Sequence, residues 1–389
     1  MTPLVLMLSA AHPAEDVRIV AKEGAALVGA GHRLRHLAPA HPGPPPPPSL
    51  HGVALETFPA RPGWAGRLRG IWDLARRAEA ARPAVIHAHE PDSWIAALLA
   101  ARRCGARVVL DVHEHYPSRL DPHLPALLRP LARVALRRFC RLVAAQADAV
   151  VVAKDGLASD FGGEALCTPV RNYATPVPLT PRRHGAGPPV LLHLGALTRS
   201  RGALLMPELL AALPGARLRL IGRFTDASEA AFHARASALG VADRIEALGW
   251  MPREAALEAA AGCDIGLVLF QPGVENHRLA LPHKLFDCML AGLPVIVPDF
   301  AEEVAAVVRE AGCGLVVDVS DANSLAAAVR RLADPSLRAD MGLRGRHAAL
   351  RRFCWAAEAA RLVRLYRRLL AQPAQGGIGT PLAEIRVPG

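Results

Sequence analysis

Hydrophobic residues along the chain fall into short continuous runs, and segments with helical spacing lie between them. In the first half the runs are PLVLMLSA, RLRHLAPA, AVIHAH, ARVVLDVHE and DAVVVA. Helices are predicted between them at 16–29, 66–81 and 93–104. Short buried strands that alternate with helices are typical of parallel β-α-β units, so this half is predicted to form a doubly wound sheet.

The same alternation restarts after a proline- and glycine-rich stretch, with the runs VLLHLGAL, RLRLIGRF, RIEALGW, IGLVLF, PVIVPD and GLVVDV. The chain is therefore predicted to be an α/β protein with two Rossmann-like, doubly wound parallel-sheet domains facing a cleft. The predicted boundaries are 1–175 for the first domain, 176–189 for a linker, 190–351 for the second domain, 352–371 for a C-terminal helical segment and 372–389 for a loose tail. Ligands of such sheets bind at the carboxyl ends of the strands.

Composition narrows the class of protein. No 18-residue window is both apolar and free of charge, so no transmembrane helix is predicted, and the apolar N-terminal run lacks the basic residues of a secretory signal. Seven scattered cysteines without a C-x-x-C pair favour reduced thiols in a cytoplasmic protein and disfavour a zinc site. Lysine and arginine outnumber aspartate and glutamate by 46 to 35, which indicates either an anionic partner or simply a basic surface.

The stretch LPHKLFDCMLAGLPVIVPDF at 281–300 places two opposite charges at the start of a predicted helix that precedes a buried strand. The unpaired N–H groups of a helix start, entered through Pro282, suit a phosphate, and Lys284 adds a positive charge. Asp287, one turn further on, is placed to accept hydrogen bonds from a ribose diol. The alternative is that Lys284 and Asp287 form an ordinary i,i+3 ion pair on a solvated helix face.

A second candidate anion site is LGALTRSRG at 194–202, where a predicted strand ends in a glycine turn followed by two arginines. Gly195 permits close approach of the backbone, and Arg199 and Arg201 can clamp a diphosphate. Arg223 follows the next strand, in LIGRF, and offers a weaker version of the same arrangement. The alternative is an ordinary basic loop.

Histidines follow three predicted strands of the first half, in the sequences HPAED, HAHEP and DVHEH. Because the carboxyl ends of parallel strands lie at one edge of a sheet, His12, His89 and His113 are candidates for one wall of the cleft. The alternative is a structural role for each of them, and this role is the one expected for His87 and His115.

An arginine-rich segment at 125–141 carries Arg129, Arg133, Arg137 and Arg141 at helical spacing. On one helix face these arginines, with Arg138 beside them, suit an anionic bilayer surface. The alternative is a solvated basic face on a packed helix.

The chain resembles the GT-B glycosyltransferases of the large retaining family 4 group over nearly its whole length. The motifs that carry the resemblance, in the family's order, are HPAEDVRIVAKEGAALVGAGH, HAHEPDS, DVHEHYP, RNYATP, LGALTRSRG, ALPHKLFDCMLAGLPVIVPDF, GCGLVVD and FCWAAEAARLVRLYRRL. The resemblance implies the GT-B fold and a second half that binds the nucleotide of a sugar-nucleotide donor. It also implies that the last helix returns to the first domain.

The resemblance implies roles for single residues as well. Arg201 stands at the family's phosphate-binding basic position, Asp287 stands where a glutamate usually holds the ribose, and His113 stands where a histidine approaches the donor sugar. Together with the strand-end residues above, the predicted catalytic residues are His113, Arg199, Arg201 and Lys284. The predicted donor-nucleotide residues are Gly195, Arg201, Arg223, Pro282, His283, Lys284 and Asp287. The predicted acceptor-side residues are His12, Asp16, His89 and Glu114.

The chain departs from the family pattern at two places. The family's paired glutamates lie eight positions apart, and the corresponding residues here are Leu279 and Asp287. The arginine common after the turn glycine is Ala196, with Arg199 as a stand-in. Either the donor sugar is held differently or activity is weakened or lost, and a shifted loop could bring Glu275 to the site instead.

The function favoured is that of a retaining hexosyltransferase, which moves a sugar from a UDP- or GDP-linked donor to a glycan or lipid-linked acceptor. Neither a cofactor nor a metal is expected, because the chain has no D-x-D motif and its cations can neutralise the leaving diphosphate. The alternative is a non-catalytic sugar-nucleotide-binding subunit. An epimerase is disfavoured by the motif spacing, and nucleic-acid binding by the scarcity of aromatic residues. The expected location is cytoplasmic, at the inner face of the cell membrane.

Overall fold

The structure, a computed structural model, describes residues 2–61 and 63–371. These residues divide into two compact units, one of residues 2–170 with 359–371 and the other of residues 171–358. Each unit is built on one sheet, and both sheets are covered by helices. The predicted loose tail, 372–389, lies outside the described residues.

The first unit contains an eight-stranded sheet in the order β3-β4-β2-β1-β5-β6-β7-β8. Its strands are β1 (Leu4–Leu8), β2 (Arg33–Pro39), β3 (Ser49–Leu50), β4 (Val53–Phe58), β5 (Val85–Ala88), β6 (Arg107–Val112), β7 (Ala149–Val152) and β8 (Cys167–Pro169). Neighbouring strands are parallel except for the short β3, which runs antiparallel to β4. The helices are α1 (Ala25–Gly29, preceded by a π-helical segment, Val17–Gly24), α2 (Gly63–Ala81), α3 (Pro91–Cys104) and α4 (Arg129–Ala144).

The hydrophobic pattern predicts the central strands of this sheet correctly because they are buried on both faces. Every residue of β5 and β6 is buried, as expected for parallel strands covered on both faces. The strands β3, β4 and β8 lie toward the two edges, are short or partly exposed, and are not predicted by the pattern.

The second unit contains a six-stranded, all-parallel sheet in the order β11-β10-β9-β12-β13-β14. Its strands are β9 (Val190–Leu194), β10 (Arg217–Ile221), β11 (Ile245–Gly249), β12 (Ile265–Leu267), β13 (Val295–Pro298) and β14 (Gly314–Val317). Its helices are α5 (Leu205–Ala211), α6 (Glu229–Ala238), α7 (Arg253–Ala260), α8 (Glu275–Arg278), α9 (His283–Leu290), α10 (Glu302–Ala311), α11 (Ala322–Arg331) and α12 (Pro335–Arg351).

Two hydrophobic clusters cover the two faces of this second sheet. Successive side chains of a strand point to opposite faces, and along β13 the central Ile296 belongs to one cluster while Val295 and Val297 belong to the other. The same holds along β9, where Leu191 lies opposite Leu192. The predicted pair of doubly wound α/β domains is therefore confirmed.

The last described helix, α13 (Trp355–Ala371), belongs to the first unit from Ala359 onward. Its buried positions Leu362, Leu365, Tyr366 and Leu369 have the i, i+3, i+4, i+7 spacing of one helix face. The Tyr366 hydroxyl lies 2.8 Å from Nδ1 of His87 in β5. The expected return of the C-terminal helix to the first domain is thus confirmed.

Candidate functional site

In the second unit, two glycine turns lie against each other at the carboxyl ends of β9 and β10. Gly222 has φ +146, and a Cβ atom there would lie 1.9 Å from the carbonyl oxygen of Gly195. Only glycine therefore allows the two turns to approach so closely. Gly195, with φ +96, donates its N–H to Ile221 O, and a Cβ on it would lie 3.9 Å from Cε of Lys284.

The turn continues into a short 3₁₀ segment that positions Arg201. Thr198 caps the segment by accepting the N–H of Arg201 on its side chain at 3.1 Å. Gly202 ends the segment with φ +77 and packs against Leu269, where a Cβ would lie 2.8 Å from the Leu269 carbonyl oxygen. Arg201 is thereby held with its guanidinium 5.9 Å from the ring centre of Phe270.

Lys284 lies in the first turn of α9 and is only 8% exposed. Its ammonium group lies 5.7 Å from the same Phe270 ring and 3.4 Å from Nε2 of the fully buried His193. The Nδ1 atom of His193 has no hydrogen-bond partner in the described chain. Two cations thus lie within 6 Å of the centre of one aromatic ring, beside the glycine turn.

The electrostatics of this pair are unusual because no carboxylate balances it. Burial, and then the positive charge of Arg201, lower the pKa of Lys284 to about 7, and burial also lowers the pKa of Arg201. Burial and the neighbouring cations lower the pKa of His193 well below its usual range. In the described chain no carboxylate lies within ion-pair distance of Lys284 or Arg201. The arrangement is chemically suited to an anion held near the first turn of α9.

The other predicted donor-side residues have partners of their own. Asp287 forms an ion pair with Arg253 at 2.7 Å, and Arg253 also donates to the carbonyl oxygen of Thr175. His283, which follows the N-cap residue Pro282, lies 3.0 Å from Oδ1 of Asn172.

The two remaining arginines of the predicted donor site are exposed. Arg223 lies over the indole of Trp250, itself 65% exposed, at 5.7 Å from the ring centre. The backbone N–H of Arg199 donates to Asp226, while its side chain is exposed. Of the predicted set, Gly195 and Arg201 are the residues from the β9 turn that lie beside the Lys284 side chain.

The segment before α9 contains Leu279, which stands at the family's first glutamate position, and Glu275, the carboxylate that a shifted loop could bring to the site. Leu279 is buried, with 4% of its surface exposed. Glu275 is paired with Arg278 at 2.6 Å, and Arg278 also pairs with Glu302. A carboxylate from Glu275 is therefore already engaged in a local network.

In the first unit, a carboxylate organises the loop after β1. Glu90, at the N-terminus of α3, accepts the backbone N–H groups of Ala10, Ala11 and His12 at 2.8–3.1 Å. It also forms a capping box with Ser93. The loop after β1 and the start of α3 are thus joined at the carboxyl edge of the sheet, where His12 is held.

Three of the predicted histidines meet at this edge. The rings of His12 and His113 lie 4.8 Å apart, and His89 Nδ1 lies 3.3 Å from His113 Nε2. His12 pairs with Asp16 at 3.3 Å. Burial opposes protonation of His12, but Asp16 and Glu90 outweigh it and raise the pKa of His12. The prediction that these strand-end residues lie together agrees with the structure, and their acceptor role stays a prediction.

Beneath the histidines lies a fully buried charge network. Arg18 donates to both carboxylate oxygens of Asp111 at 2.9 and 3.2 Å and lies 2.8 Å from Glu23. Asp111 in turn lies 2.8 Å from Nε2 of His113. Burial opposes ionisation of Asp111, but Arg18 outweighs it and keeps its pKa low, whereas burial raises the pKa of Glu23 well above its usual range.

Four members of this region offer metal-ligand atoms within 4.8 Å of one another, and they are Glu23, His87, His89 and Asp111. The guanidinium of Arg18 already contacts both carboxylates, so the negative charge that would hold a cation is largely neutralised. The network is therefore better described as a self-compensated support for His113.

The remaining predicted residues of the first unit lie apart from this cluster or have structural contacts. Glu114 is exposed and pairs with Arg119 at 2.7 Å. His115 is buried between Asp160 and Ser118, and His87 contacts Tyr366, which agrees with the structural role expected for both.

The arginine face expected on α4 differs from the observed one. Arg133 pairs with Asp121 and Arg137 with Asp160, because both acids lie on short helical segments packed beside α4. Arg129 and Arg141 donate to backbone carbonyl oxygens. Beside the exposed Arg129, Arg138 and Arg141, the surface of this region carries large apolar side chains, which are Leu127, Leu128, Leu131, Val134 and Leu142. No described helix is long and apolar enough to cross a bilayer.

Several functional candidates are absent from the sequence prediction. Asp111 sits inside the apolar run of β6, and Arg18 within an otherwise core-facing helical segment; a charge inside a buried pattern is the signal that could have found them. His193, in the middle of β9, shows the same signal. Trp250, exposed just after β11, has no such sequence signal.

Comparison with known families yields one match for each half of the chain. A family model described as "Glycosyl transferase 4-like domain" matches residues 17–172. A second model, described as "Glycosyl transferases group 1", matches residues 181–348. The two matches together span both sheets except for strand β1, and they include every strand-end residue discussed above except His12 and Asp16.

Two curated relatives are similar in sequence. The lipopolysaccharide core biosynthesis glycosyltransferase LpsE of Rhizobium meliloti (strain 1021) is 28% identical over 169 residues, which span 43% of this chain and 46% of that protein. The GDP-mannose-dependent alpha-(1-6)-phosphatidylinositol monomannoside mannosyltransferase of Mycolicibacterium smegmatis is 27% identical over 288 residues, spanning 68% of this chain and 71% of that protein. The match thus covers about half the length of the first relative.

Solved structures share the fold over almost the whole chain. A sucrose-phosphate synthase from Thermosynechococcus elongatus has a TM-score of 0.74 at 19% identity, covering 95% of this chain and 100% of that chain. HepE from Anabaena in complex with UDP has a TM-score of 0.68 at 16% identity, with the same coverage. At such identities the likeness establishes the fold.

Proposed function

Because the chain belongs to the GT-B glycosyltransferases of the family 4 type, we propose that it transfers a sugar from a nucleotide-diphosphate donor to a glycan or lipid-linked acceptor. One observation carries the proposal. Lys284 and Arg201 are two desolvated cations without a carboxylate partner in the described chain, beside a glycine turn and a helix N-terminus. Such a site is costly without an anion and is satisfied by a diphosphate.

In this proposal the second unit holds the donor and the leaving group. Lys284, Arg201 and the N–H groups at the start of α9 neutralise the diphosphate as the bond to the sugar breaks. Asp287 accepts hydrogen bonds from the ribose hydroxyl groups, and its carboxylate must at the same time serve the ion pair with Arg253. UDP and GDP are the favoured nucleotides, since HepE was solved with UDP and the mycobacterial relative is named for GDP-mannose.

The first unit supplies the acceptor side of the reaction. His113, held by Asp111, and His12, paired with Asp16, present imidazole groups at the carboxyl edge of the sheet. Imidazoles fixed by carboxylates are suited to binding hydroxyl groups and to moving a proton. We propose that His113 lies nearest the donor sugar and that Arg199 supplements the diphosphate clamp.

We further propose that transfer is metal-independent and retains the anomeric configuration of a hexosyl group. The cations of the donor site supply the charge neutralisation that a bound metal would give. No cofactor is required for such a transfer. Leu279 is apolar and Glu275 is engaged by Arg278, so retention would proceed without a carboxylate nucleophile from this segment.

Thermal unfolding with UDP, GDP, dTDP and CDP, free and as sugar conjugates, tests the donor assignment. A ligand at 100 times its Kd adds about 2.7 kcal/mol of stability, so one nucleotide class should raise Tm by several degrees. Lys284→Ala should abolish this shift, while Arg331→Ala, which removes an exposed cation of the same unit, should preserve it. Asp287→Asn should weaken it, whereas Arg253→Gln should preserve it. A cooperatively melting protein that responds to no nucleotide would contradict the proposal.

Product analysis separates the enzyme from a non-catalytic sugar-nucleotide-binding subunit. The conjugate that gives the largest shift is incubated with a panel of glycan and lipid-linked acceptors, in the presence of a chelator. We expect a glycosylated product whose anomeric NMR signals match the configuration of the donor. Binding without turnover across the panel would support the subunit alternative, and an inverted product would refute retention.

A peripheral location at the cytoplasmic face of the membrane is proposed from the surface around α4. Leu127, just before α4, is 92% exposed, Leu131 on α4 is 69% exposed, and the exposed Arg138 also lies on α4. Apolar side chains flanked by arginines suit the interface of an anionic bilayer. Sedimentation with anionic vesicles should capture the protein, and Leu127→Ser with Leu131→Ser should release it. Unchanged binding of this double variant would remove α4 from the proposal.

A further inference from the structure

The outward face of α13 carries a series of arginine side chains. Opposite its buried leucines and Tyr366, it carries Arg361, Arg364, Arg367 and Arg368. From Ala359 to Ala371 the helix contains no aspartate or glutamate. Because the apolar face is firmly packed in the first unit, these arginines project from a rigid support rather than from a loop.

The four arginines line an open groove together with the edge strand β8. The other wall is formed by Cys167, Thr168 and Pro169, and the groove has a volume of about 560 Å³. Thr168 contributes a hydroxyl group, and among the residues that the structure describes no acidic one lines the groove. It lies wholly within the first unit, so it is separate from the donor site around Lys284.

The contrast with α4 shows that these arginines are not an ordinary basic surface. Of the five arginines on α4, two pair with aspartates and two donate to carbonyl oxygens. Within the described chain, Arg364, Arg367 and Arg368 have neither kind of partner. Like charges three or four residues apart on a helix repel one another. The groove therefore concentrates positive charge that the described fold leaves uncompensated.

The field of this cluster reaches a neighbouring histidine. Burial and then the positive charge of Arg367 lower the pKa of His32, whose ring lies 5.9 Å from that of Tyr366. Guanidinium groups bind phosphate oxygens in pairs of parallel hydrogen bonds, which makes arginine the preferred partner of phosphate. A multiply charged anion would bind several guanidinium groups at once and relieve their repulsion.

We propose that the groove between α13 and β8 is a binding site for a ligand carrying two or more phosphate charges. The shared chemistry is the phosphate group, which an anionic lipid headgroup or a soluble phosphorylated molecule could supply. Arg364, Arg367 and Arg368 are the recognition residues, and Thr168 is placed to donate a further hydrogen bond. This site is independent of the donor assignment.

Calorimetric titration of the full chain tests the proposal with two probes, sodium tripolyphosphate and dihexanoyl phosphatidate kept below its micelle concentration. All titrations use the Lys284→Ala background, so that the donor site does not contribute. Arg364→Gln/Arg367→Gln/Arg368→Gln should weaken binding by on the order of a hundredfold, since each arginine near an anionic group contributes roughly a fivefold factor. The matched control, Arg309→Gln/Arg331→Gln/Arg351→Gln, removes three exposed arginines from the other unit and should bind like its parent.

The outcomes separate the sources of the ligand. Binding of tripolyphosphate alone supports a soluble phosphorylated ligand, and binding of phosphatidate alone supports a lipid headgroup. Binding of both supports recognition of the phosphate itself. The proposal is overturned if neither probe binds, or if the control variant loses as much affinity as the groove variant. Circular dichroism of both triple variants, whose changes all lie on exposed side chains, confirms that each is folded.

Discussion

Each unit buries charged side chains at the carboxyl end of its sheet, but only one of the two clusters is electrically balanced. In the first unit Arg18 lies between Asp111 and Glu23, so every charge has a partner inside the fold. In the second unit Lys284 and Arg201 both lie close to the ring of Phe270, and the described chain offers them no carboxylate. Both clusters lie in the same kind of fold, and they differ in whether carboxylates of the described chain balance the buried positive charge.

A charge cluster that is balanced within the fold stabilises the folded state without a ligand. An unbalanced cluster is fully stabilised only when a ligand of opposite charge binds to it. The pKa of Lys284 falls to about 7, because burial and Arg201 both disfavour the ammonium form. The pKa of Arg18, which has two carboxylate neighbours, is instead raised despite complete burial. Ligand binding is therefore expected at Lys284, the buried cation that has no carboxylate partner in the described chain.

The largest effect is expected from breaking the balanced cluster. Arg18→Met keeps the volume of the side chain but leaves Asp111 buried without its main partner. We expect a loss of roughly 3–5 kcal/mol in the free energy of unfolding, as for other buried ion pairs that lose one member. Urea unfolding monitored by circular dichroism measures it, with the exposed Arg69→Met as control. A loss of stability no larger than that of the control would mean that the Arg18 ion pairs do not stabilise the fold, and the distinction between the two clusters would fail.

The corresponding change in the unbalanced cluster should have the opposite sign. Lys284→Met removes a buried charge that lacks a carboxylate partner, so the unliganded variant should gain about 1–4 kcal/mol at pH 6. In wild type the unfolded chain keeps the Lys284 proton up to the ordinary lysine pKa of 10.5, and the folded chain only up to about 7. Wild-type stability therefore rises between these pH values, and the gain of the variant should shrink across the same window.

Urea unfolding at pH 6 and pH 9 measures the stability gained by the unliganded Lys284→Met variant. The same measurement with the nucleotide identified by thermal shift gives the ligand stabilisation that the variant loses. The variant should lose the nucleotide-induced stabilisation of about 2.7 kcal/mol that wild type shows at 100 times Kd. Arg331→Met, on the exposed face of the same unit, serves as the control. If Lys284→Met destabilised the unliganded protein at pH 6, Lys284 would be part of the core rather than of a site.

The architecture is accessible from the sequence because it depends on local patterns. Central strands such as β5 and β13 are continuous apolar runs, and helices such as α13 show clear i, i+3, i+4, i+7 spacing. Edge strands are not accessible in this way, because β3 has two residues and β4 is mostly half-buried. Their position depends on pairing with neighbours rather than on a buried pattern of their own.

The candidate sites also contain one part that the sequence predicts and one part that it does not. Lys284 and Arg201 follow recognisable turns, so their motifs can be found, although the missing carboxylate cannot be deduced from spacing. Arg18 and Asp111 are 93 residues apart in sequence and meet only through the parallel sheet. The partners of the α4 arginines are equally hidden, since Asp121 and Asp160 lie outside the helix that carries the arginine spacing.

Proton uptake on ligand binding sharpens the comparison further. With a pKa of about 7, Lys284 is mostly neutral at pH 8, and a bound diphosphate should restore its charge. Nucleotide binding at pH 8 should therefore take up close to one proton, and affinity should fall about tenfold per pH unit above pH 8. Calorimetry in HEPES and Tris, which differ in ionisation enthalpy, measures the uptake. Lys284→Ala should show none, and equal heats in the two buffers for wild type would contradict the assignment.

The smallest effect is expected at the rim of the balanced network, where His12 pairs with Asp16 and both are partly exposed. Burial opposes protonation, but Asp16 and then Glu90 outweigh it, so the pKa of His12 is raised above 6.5. A raised histidine pKa stabilises the fold below pH 6.5, and this stabilisation is lost as the pH rises through the folded-state value.

Asp16→Asn should therefore lower the pKa of His12 and cost less than about 1 kcal/mol at pH 5.5, because solvent screens a pair of this kind. At pH 8.5 the ion-pair part of this cost should be smaller, since less of His12 is protonated there. Titration of the His12 ring proton by NMR gives the pKa, and urea unfolding at the two pH values gives the free energy. Glu164→Gln, an exposed change in the same unit, is the control. A pKa that does not move would place His12 outside the balanced network and leave Glu90 as the group that holds its loop.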